Sequence, residues 1–485
     1  MRAEEKCCRT ISGREPLLEK TTRASASNVL LSCILLLATS VGLSAQTYKV
    51  LYNFGHKAGD PTNPMAAGII AQSRGGHLFS TAGFGGANNL GAAYRMTATG
   101  GLTVLHSFDG SDGQNSASGL TLSTDGDYYG TTRQGGAFGY GTVYKMSQEG
   151  VVTTLYDFQG GADGAYPIAP PIESTAGEFY GTTEGQGPTY LGSVYKITKY
   201  GDFTVLHTFT GPDGAEPYAP LVQATDFFFY GVATNRGAYG SGTIYRVSAS
   251  GDFQVLYNFD GVHGSLPVSG LIQASDGNFY GVTFEGGTSD YGVLFEMTSD
   301  YKIRVLHNFD DVTDGGFANG GLVQATDGNL YGTNDSKLFR FNKRGGFEIL
   351  HSFTKSTGIS PYDTLTQHTN GLLYGTTLQG GIGNNNNGVF YSLDVGLKPF
   401  VTYLPTYGRA GASVEILGQG FTADSKVYFN GTPATFNLVY PTYIRATVPD
   451  GATTGRITVT TANGTLISNK IFIVHPNLTT EEGSE

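Results

Sequence analysis

Apolar and polar positions along this chain follow a pattern that returns seven times between residues 51 and 353. Each copy begins with a β-branched or apolar pair, continues with a ring-bearing residue and a polar residue, and ends in Phe. The copies end in Leu-Tyr-Asn-Phe (51–54), Leu-His-Ser-Phe (105–108), Leu-Tyr-Asp-Phe (155–158), Leu-His-Thr-Phe (206–209), Leu-Tyr-Asn-Phe (256–259), Leu-His-Asn-Phe (306–309) and Leu-His-Ser-Phe (350–353). A fixed period near 50 residues indicates stacked supersecondary units.

One unit, residues 117–158, predicts four short strands. A first strand ends at Asp125-Gly126, a two-residue hairpin signal, and Tyr128 opens a second strand rich in β-formers. A glycine-rich loop (134–141) leads to a third strand (142–146), and a tight turn at 148–150 leads to the fourth (152–158). Four antiparallel strands per 40–50 residues, repeated seven times, predict an all-β fold, a seven-bladed β-propeller. A linear stack of sheets is the alternative.

The two ends of the repeat region predict that the propeller closes. The phrase that ends at Phe54 is a fourth strand with no first strand before it, whereas the last unit (364–393) supplies three strands and lacks the phrase. The N-terminal strand is therefore expected to complete the seventh blade, which would leave no open sheet edge.

The repeated residues also resemble a known family. The succession Phe-x-Gly, Asp-Gly-x-x-Pro, Asp-Gly-Asn-Phe-Tyr-Gly, Glu-Gly-Gly, Tyr-Lys and Val-Leu-His-x-Phe resembles the GloVer tandem repeats of exported bacterial proteins, most clearly at 202–309 and over about 50–395. Unit six departs from it, because 332–337 replaces the glycine-rich loop. The resemblance implies export and no established reaction.

A second pattern begins after Leu393, where the period stops. Gly411-x-x-Val-x-Ile-x-Gly-x-Gly-Phe421, Val427-Tyr-Phe-Asn-Gly431, Val448-Pro449 and Gly455-Arg-Ile-Thr-Val459 are short alternating segments between turns. They predict a small β-sandwich and resemble the IPT/TIG immunoglobulin-like domains, which implies a spacer or docking module. The predicted domains are a signal peptide (1–45), the propeller (46–396), the IPT/TIG-like sandwich (397–475) and a polar tail (476–485).

The leader and the charge restrict location and partners. Arg14, Lys20 and Arg23 precede an apolar run (29–43) that ends in Ser44-Ala45, the layout of a secretory signal peptide, with an uncleaved anchor as the alternative. We therefore expect a secreted or envelope-associated protein without a transmembrane span once the leader is removed. All three cysteines lie in the leader, and the net charge of −11 repels nucleic acid.

Candidate chemistry is sparse. The fourth-strand histidines (106, 207, 307, 351) share their position with tyrosines (52, 156, 257), so a packing slot for a flat ring is favoured over a metal ligand. Glu173, Gln223, Gln273, Gln324 and Gln367 share one place in the first strand and are interpreted as a polar lining of the channel. Aspartates between the units are interpreted as turn residues, with a ring of carboxylates that attracts calcium as the alternative.

Loop length predicts where a site lies. The hairpins between strands one and two, and three and four, are tight, whereas the other connections are long and emerge at one rim. The predicted ligand-binding residues on that rim are Tyr140, Tyr190, Tyr239, Tyr291, Asp112, Asp163, Asp213, His263 and Asp314.

Two functions remain open at this stage. The first is an exported, non-catalytic recognition or scaffold protein, expected to be a monomer without a cofactor, that binds saccharide or protein. The second is a propeller enzyme, a lyase or glycoside-active protein, that acts at the same rim.

Overall fold

The computed structural model describes residues 46–64, 70–185, 191–344, 346–382 and 386–475. These residues form strands and turns and no helix, so none of them forms a helix that could span a membrane. The predicted leader (1–45), Tyr190 and the polar tail (476–485) lie outside the described residues.

Seven four-stranded antiparallel sheets carry the repeats, each with its strands in the same order. From first to fourth strand, sheet 1 contains Ala71–Gln72, Leu78–Ala82, Ala92–Met96 and Leu102–Ser107. Sheet 2 contains Thr121–Leu122, Tyr128–Thr132, Thr142–Met146 and Val152–Asp157. Sheet 3 contains Ile172–Glu173, Phe179–Thr183, Ser193–Ile197 and Phe203–Thr208. Sheet 4 contains Val222–Gln223, Phe229–Ala233, Thr243–Val247 and Phe253–Asn258.

The remaining sheets keep this layout, which is that of propeller blades. Sheet 5 contains Ile272–Gln273, Phe279–Val282, Val293–Met297 and Ile303–Asn308. Sheet 6 contains Val323–Gln324, Leu330–Thr333, Lys337–Asn342 and Gly346–Ser352. Sheet 7 contains Thr366–Gln367, Leu373–Thr376, Val389–Asp394 and, as its fourth strand, the N-terminal Thr47–Asn53. A small ladder pairs Pro61–Thr62 with Phe84–Gly85.

The repeated leucine is the extra residue of a β-bulge. In sheet 2, Val143 pairs with Tyr156 and Tyr144 with Thr154, so Leu155 has no partner in the third strand. The same shift occurs in all seven sheets, including the N-terminal strand. A bulge bends and twists the strand locally, which orients the ring and the Phe that follow the leucine toward the next sheet.

The Phe that ends each phrase packs between sheets. Phe108 of sheet 1 is buried and meets the ring of Tyr144, in the third strand of sheet 2, edge-on at 5.4 Å between centroids. Equivalent ring contacts, at 5.2–5.6 Å and tilted instead of edge-on in the pair Phe309–Phe339, join Phe54–Tyr94, Phe158–Tyr195, Phe209–Tyr245, Phe259–Phe295, Phe309–Phe339 and Phe353–Tyr391. Gly130 in the second strand leaves room for the third-strand ring, since a Cβ there would lie 2.5 Å from the Tyr144 hydroxyl.

The C-terminal residues form a β-sandwich with its own core. One sheet contains Thr402–Leu404, Ser413–Leu417, Tyr443–Thr447 and Phe436–Tyr440, and the other contains Thr432–Ala434, Lys426–Phe429, Ile457–Thr461 and Gly464–Ile467. A short parallel pair joins Tyr407–Gly408 to Ile473–Val474. Val414, Ile416, Val427, Ile457 and Phe472 are buried between the sheets.

Candidate functional site

The connections at the two ends of the strands differ. The strand ends that carry the loops between second and third strands, and between consecutive sheets, are called the long-loop face. The opposite strand ends, which carry the hairpins between first and second and between third and fourth strands, are called the hairpin face. On the long-loop face the loops are ordered by bridges between neighbouring connections, such as Gln114 with Gln134 and Ala215 with Asn235.

The predicted rim tyrosines lie in different environments. Tyr140 and Tyr291 are partly buried because each ring packs on a glycine, and a Cβ at Gly160 or Gly316 would lie 2.6 Å from it. Tyr239 is 69% exposed. Tyr239 is therefore the described member of this set whose ring is accessible to a ligand.

The predicted aspartates bind the ring in the fourth strand of their own sheet. The acceptor distances are 2.5 Å for His106 Nε2–Asp112, 3.1 Å for Tyr156 OH–Asp163, 2.8 Å for His207 Nε2–Asp213 and 2.5 Å for His307 Nε2–Asp314. Backbone N–H groups of the same turns also donate to these carboxylates. His263 departs from this arrangement, with Nδ1 2.8 Å from Asp260. The contacts favour the turn interpretation, because they hold the carboxylates at the fourth strand and not at the first.

Packing of the fourth-strand rings against the next sheet supports the flat-ring interpretation. His207 stacks on Phe253 at 3.5 Å between centroids, and His307 stacks on Phe347 at 3.9 Å. His351 of sheet 6 stacks on Tyr48 of the N-terminal strand at 3.7 Å. Burial lowers the pKa of His351 to about 4, so this imidazole is neutral near pH 7.

The polar residues of the first strands join neighbouring sheets. The side-chain oxygen of Gln273 accepts a hydrogen bond from the N–H of Thr225, in the hairpin of sheet 4, at 2.9 Å. The equivalent bonds, at 2.8–3.0 Å, are Thr124 N–Glu173, Thr175 N–Gln223, Ser275 N–Gln324, Thr326 N–Gln367 and Thr369 N–Gln72. We call this contact the seam bond. The role of Gln72 was not predicted from the sequence. At the seam between sheets 1 and 2, Leu122 takes the place of the polar residue.

A polar cluster on the long-loop face was not predicted. Arg133 of sheet 2 holds Glu184 of sheet 3 with two hydrogen bonds, of 2.9 and 3.0 Å. The Tyr218 hydroxyl lies 3.3 Å from Glu184 Oε1 and 3.1 Å from Glu216 Oε2. Asn235 of sheet 4 donates to the same Glu216 oxygen at 2.5 Å. Burial and the charges of the two glutamates raise the pKa of Tyr218, so the phenol keeps its proton. We call these five residues the Glu184–Glu216 cluster.

The residues of this cluster break the repeat. Positions equivalent to Arg133 and Glu184 hold Phe284 in sheet 5 and Leu378 in sheet 7. Such differences between units are the signal that a comparison of the repeats, loop by loop, would have detected.

Asp363 is a second residue that sequence reasoning missed. Its carboxylate is fully buried and accepts hydrogen bonds from the N–H and hydroxyl of Thr376, at 2.6 and 3.1 Å, through Oδ2. Oδ1 has no partner among the described residues. The equivalent place in sheet 2 holds Ser118, whose hydroxyl accepts from Thr131 N in the same way. Burial raises the pKa of Asp363 to about 7.

Metal binding has no assembled site in the described part of the chain. No group of three or more His, Cys, Asp or Glu side chains is positioned there to hold an ion. Calcium binding stays a prediction. On the hairpin face, a cleft of about 280 Å³ lies between sheets 2 and 3, lined by Glu173, Glu178, Lys199 and Tyr200 among others.

Comparisons with known proteins identify two families. The model of the Gloeobacter/Verrucomicrobia repeat matches residues 38–228, 125–338 and 221–435, and that of the IPT/TIG domain matches residues 400–473. No curated protein matches the chain.

Several solved structures are similar to this chain. A fungal alcohol oxidase of the AA5 family, in complex with copper, is 14% identical, with 89% of this chain and 100% of that chain covered and a TM-score of 0.48. The extracellular domain of a candidate hybrid two-component system of B. thetaiotaomicron is 10% identical, with 89% and 58% covered and a TM-score of 0.48. PorZ, a bacterial surface component of the type-IX secretion system of Porphyromonas gingivalis, is 14% identical, with 86% and 60% covered and a TM-score of 0.44. Similarities of this size carry no argument about activity.

Proposed function

The chain belongs to the Gloeobacter/Verrucomicrobia repeat family, and on that premise we propose that it is an exported, non-catalytic recognition protein. Its seven sheets close into a propeller, and the long-loop face binds saccharide at the Glu184–Glu216 cluster. The observation that carries the proposal is the position of one Tyr218 hydroxyl between two carboxylates on that face.

Closure of the ring is supported by contacts that continue across the chain ends. Phe54, from the N-terminal strand in sheet 7, meets Tyr94 of sheet 1 at 5.4 Å, as its counterparts do at the other six seams. Thr369 of sheet 7 donates the seam bond to Gln72 of sheet 1 at 2.9 Å. A linear stack would leave these partners apart.

The number of hydrogen-bond donors that reach the two carboxylates indicates the class of ligand. Tyr218 has one hydroxyl proton for two carboxylates, so one glutamate lacks this donor at any moment. Ligand hydroxyls supply such donors, and the Arg133 guanidinium and Asn235 amide supply donors to ligand oxygens. Tyr166, whose ring lies 6.0 Å from the Arg133 guanidinium carbon, offers a flat apolar surface of the kind on which sugar rings pack.

A glycan array with residues 46–485, the chain without the predicted leader, tests the proposal. We expect saccharide binding that Glu216→Gln weakens by about tenfold or more, since a hydrogen bond to a charged group is worth about 1.5–3 kcal/mol. Glu285→Gln, in the neighbouring sheet, is the matched control and should bind normally. Equal binding by both variants, or capture of proteins and no glycans, would contradict the saccharide site.

A glycoside-active enzyme is the second candidate, and the same cluster favours it. Because both carboxylates approach one hydroxyl, their bonded oxygens are no farther apart than about two hydrogen-bond lengths. Carboxyl pairs about 5–10 Å apart serve as acid and nucleophile or base in glycosidases. Release of reducing ends from a bound glycan, lost in Glu184→Gln, would replace the non-catalytic proposal with this one.

A further inference from the structure

The IPT/TIG domain contacts the hairpin face at several sheets. Thr442 of the domain donates to the carbonyl of Arg74 in the first hairpin of sheet 1, at 2.9 Å. Phe400 N donates to the carbonyl of Thr369 in the equivalent hairpin of sheet 7, at 3.1 Å. The Tyr407 hydroxyl donates to the carbonyl of Thr175 in the equivalent hairpin of sheet 3. A spacer that only separates two domains would not require docking on three hairpins.

One set of contacts lies on the seam between sheets 7 and 1. The Thr369 hydroxyl accepts from Gln72 of sheet 1 at 2.8 Å and from Gln419 of the IPT/TIG domain at 2.8 Å. The same Thr369 donates the seam bond to Gln72 through its N–H. Gln419 therefore binds a residue that already joins the first and last repeats.

A second set lies on the seam between sheets 1 and 2, where Leu122 cannot form the seam bond. Arg74 spans this seam instead, with its guanidinium donating to the carbonyl of Thr124 at 3.2 Å. Glu415 of the IPT/TIG domain binds the same guanidinium, with Arg74 Nε 2.8 Å from Oε2, and the Tyr443 ring lies 5.6 Å from its carbon. Both charged side chains are largely buried, with 13% and 15% of their surface exposed. Removing one partner of a partly buried ion pair leaves the other charge unpaired, so the loss is larger than for an exposed pair.

We infer that the IPT/TIG domain is a clamp that holds sheet 1 to both of its neighbours. It binds Thr369 and Arg74 on the two sides of the seam made by the chain ends, and it holds the Arg74 guanidinium that bridges the seam without its own bond. Its link to ring closure rests on the proposed function, whereas the docking contacts stand by themselves. The clamp also covers inner hairpins of the hairpin face, which leaves the long-loop face for the ligand.

A designed disulfide tests the docking directly. A Cβ built at Gly76 lies 3.6 Å from the Thr442 Cβ, within the range of about 3.5–4.5 Å found in disulfides. All cysteines of the chain lie in residues 1–45, so residues 46–485 offer no competing thiol. We expect the double variant G76C/T442C to oxidise fully in a glutathione buffer, detected by intact mass and peptide mapping. The control is G277C/T442C. Gly277 is the equivalent glycine of sheet 5, and a Cβ built there has no neighbouring atom within 4 Å. Equal failure of both pairs to oxidise would overturn the clamp.

Hydrogen exchange tests what the clamp does. In Glu415→Gln we expect amides of Leu78–Ala82 and Leu373–Thr376 to exchange about tenfold faster, with Ile457–Thr461 unchanged because the domain itself stays folded. Lys426→Gln, at an exposed position of the same domain, should leave all three unchanged. Equal protection in Glu415→Gln and the unaltered chain would overturn the clamp alone. Fast exchange of Thr47–Asn53 in the unaltered chain would instead overturn the closed ring of the proposed function.

Discussion

The hairpin face and the long-loop face of the repeats differ in what is kept from sheet to sheet. On the hairpin face one side chain keeps one role, since Gln223, Gln273, Gln324 and Gln367 each accept an N–H from the preceding sheet. On the long-loop face the backbone is kept and the side chain changes. In each connection between consecutive sheets one residue has a φ between 51° and 60°, and these residues are Asn63, Asn115, Tyr166, Glu216, Leu266, Phe317 and Ser360.

The difference separates the contacts that join the sheets, which are uniform, from the side chains of the proposed binding surface, which vary. The N–H of Tyr166 donates to Tyr140 O at 2.9 Å, and its carbonyl accepts from Glu184 N at 3.2 Å, so the backbone joins two loops whatever the side chain is. The side chain at this place is then free to vary, and two of the seven, Tyr166 and Glu216, lie in or beside the Glu184–Glu216 cluster. Variation on an ordered frame is what a binding surface requires.

Removal of residues 46–56 should destabilise the repeated sheets more than any other change considered. The deletion takes away the fourth strand of sheet 7, including Phe54, which is 1% exposed, and the stack of Tyr48 on His351. Each large buried side chain contributes about 1.5–3 kcal/mol, so we expect the free energy of unfolding to fall by more than about 4 kcal/mol. Calorimetry measures this loss, with deletion of 476–485 as the control. An unchanged melting temperature would argue against a role for the N-terminal strand in closure.

Asp363→Asn should change how stability depends on pH. Burial raises the pKa of Asp363 from 3.8 to about 7 in the folded protein, so the folded state holds this proton more tightly than the unfolded chain does. The free energy of unfolding should therefore fall as pH rises from about 4 to about 7, by up to on the order of 3 kcal/mol. The Asn variant should lack this decrease and be more stable than the unaltered chain at pH 8. Denaturant titrations at pH 4, 6 and 8 measure the effect, and parallel curves would contradict it.

The seam bond predicts a smaller pair of opposite effects. Gln273→Leu removes the acceptor of Thr225 N and should lower the free energy of unfolding by about 0.5–1.5 kcal/mol. Leu122→Gln places an amide at the seam that lacks one and should have no effect or raise stability by less than about 1 kcal/mol. Chemical denaturation of both variants measures the two changes. A larger loss from Leu122→Gln than from Gln273→Leu would show that the seam bond is not what joins the sheets.

The smallest effect on stability is expected from a substitution on the long-loop face. Leu266 has a φ of 53°, which Asn adopts more readily than Leu, so Leu266→Asn should change stability by less than about 1 kcal/mol, toward greater stability. Leu266→Val is the contrast, because a β-branched residue is a poor fit for a positive φ and should destabilise. Thermal melts compare the two, and equal losses would show that this position does not tolerate variation.

Much of the fold follows from the repeated phrase and much of the site does not. The strands, their order in each sheet and the flat-ring slot were predicted from the period and from the exchange of His with Tyr. The histidines and the inter-unit aspartates were interpreted separately, yet the structure pairs three of the histidines with such aspartates, as in His106 with Asp112, six positions later across one turn. Such pairing depends on the path of the turn, which composition does not specify.

The Glu184–Glu216 cluster and the clamp depended on contacts that are distant in the chain. Glu184 and Glu216 belong to different connections, and Arg74 and Glu415 are 341 residues apart. A period reports what the units share, whereas both features arise where units differ, at Arg133, Glu184, Leu122 and Arg74.

The amino-acid sequence by itself determined the repeated unit, because alternation, turn residues and the Leu-to-Phe phrase act over a few residues. Only the tertiary structure decided which unlike residues meet across the seams and loops, since hydrogen bonds act over about 3 Å in space and not along the chain.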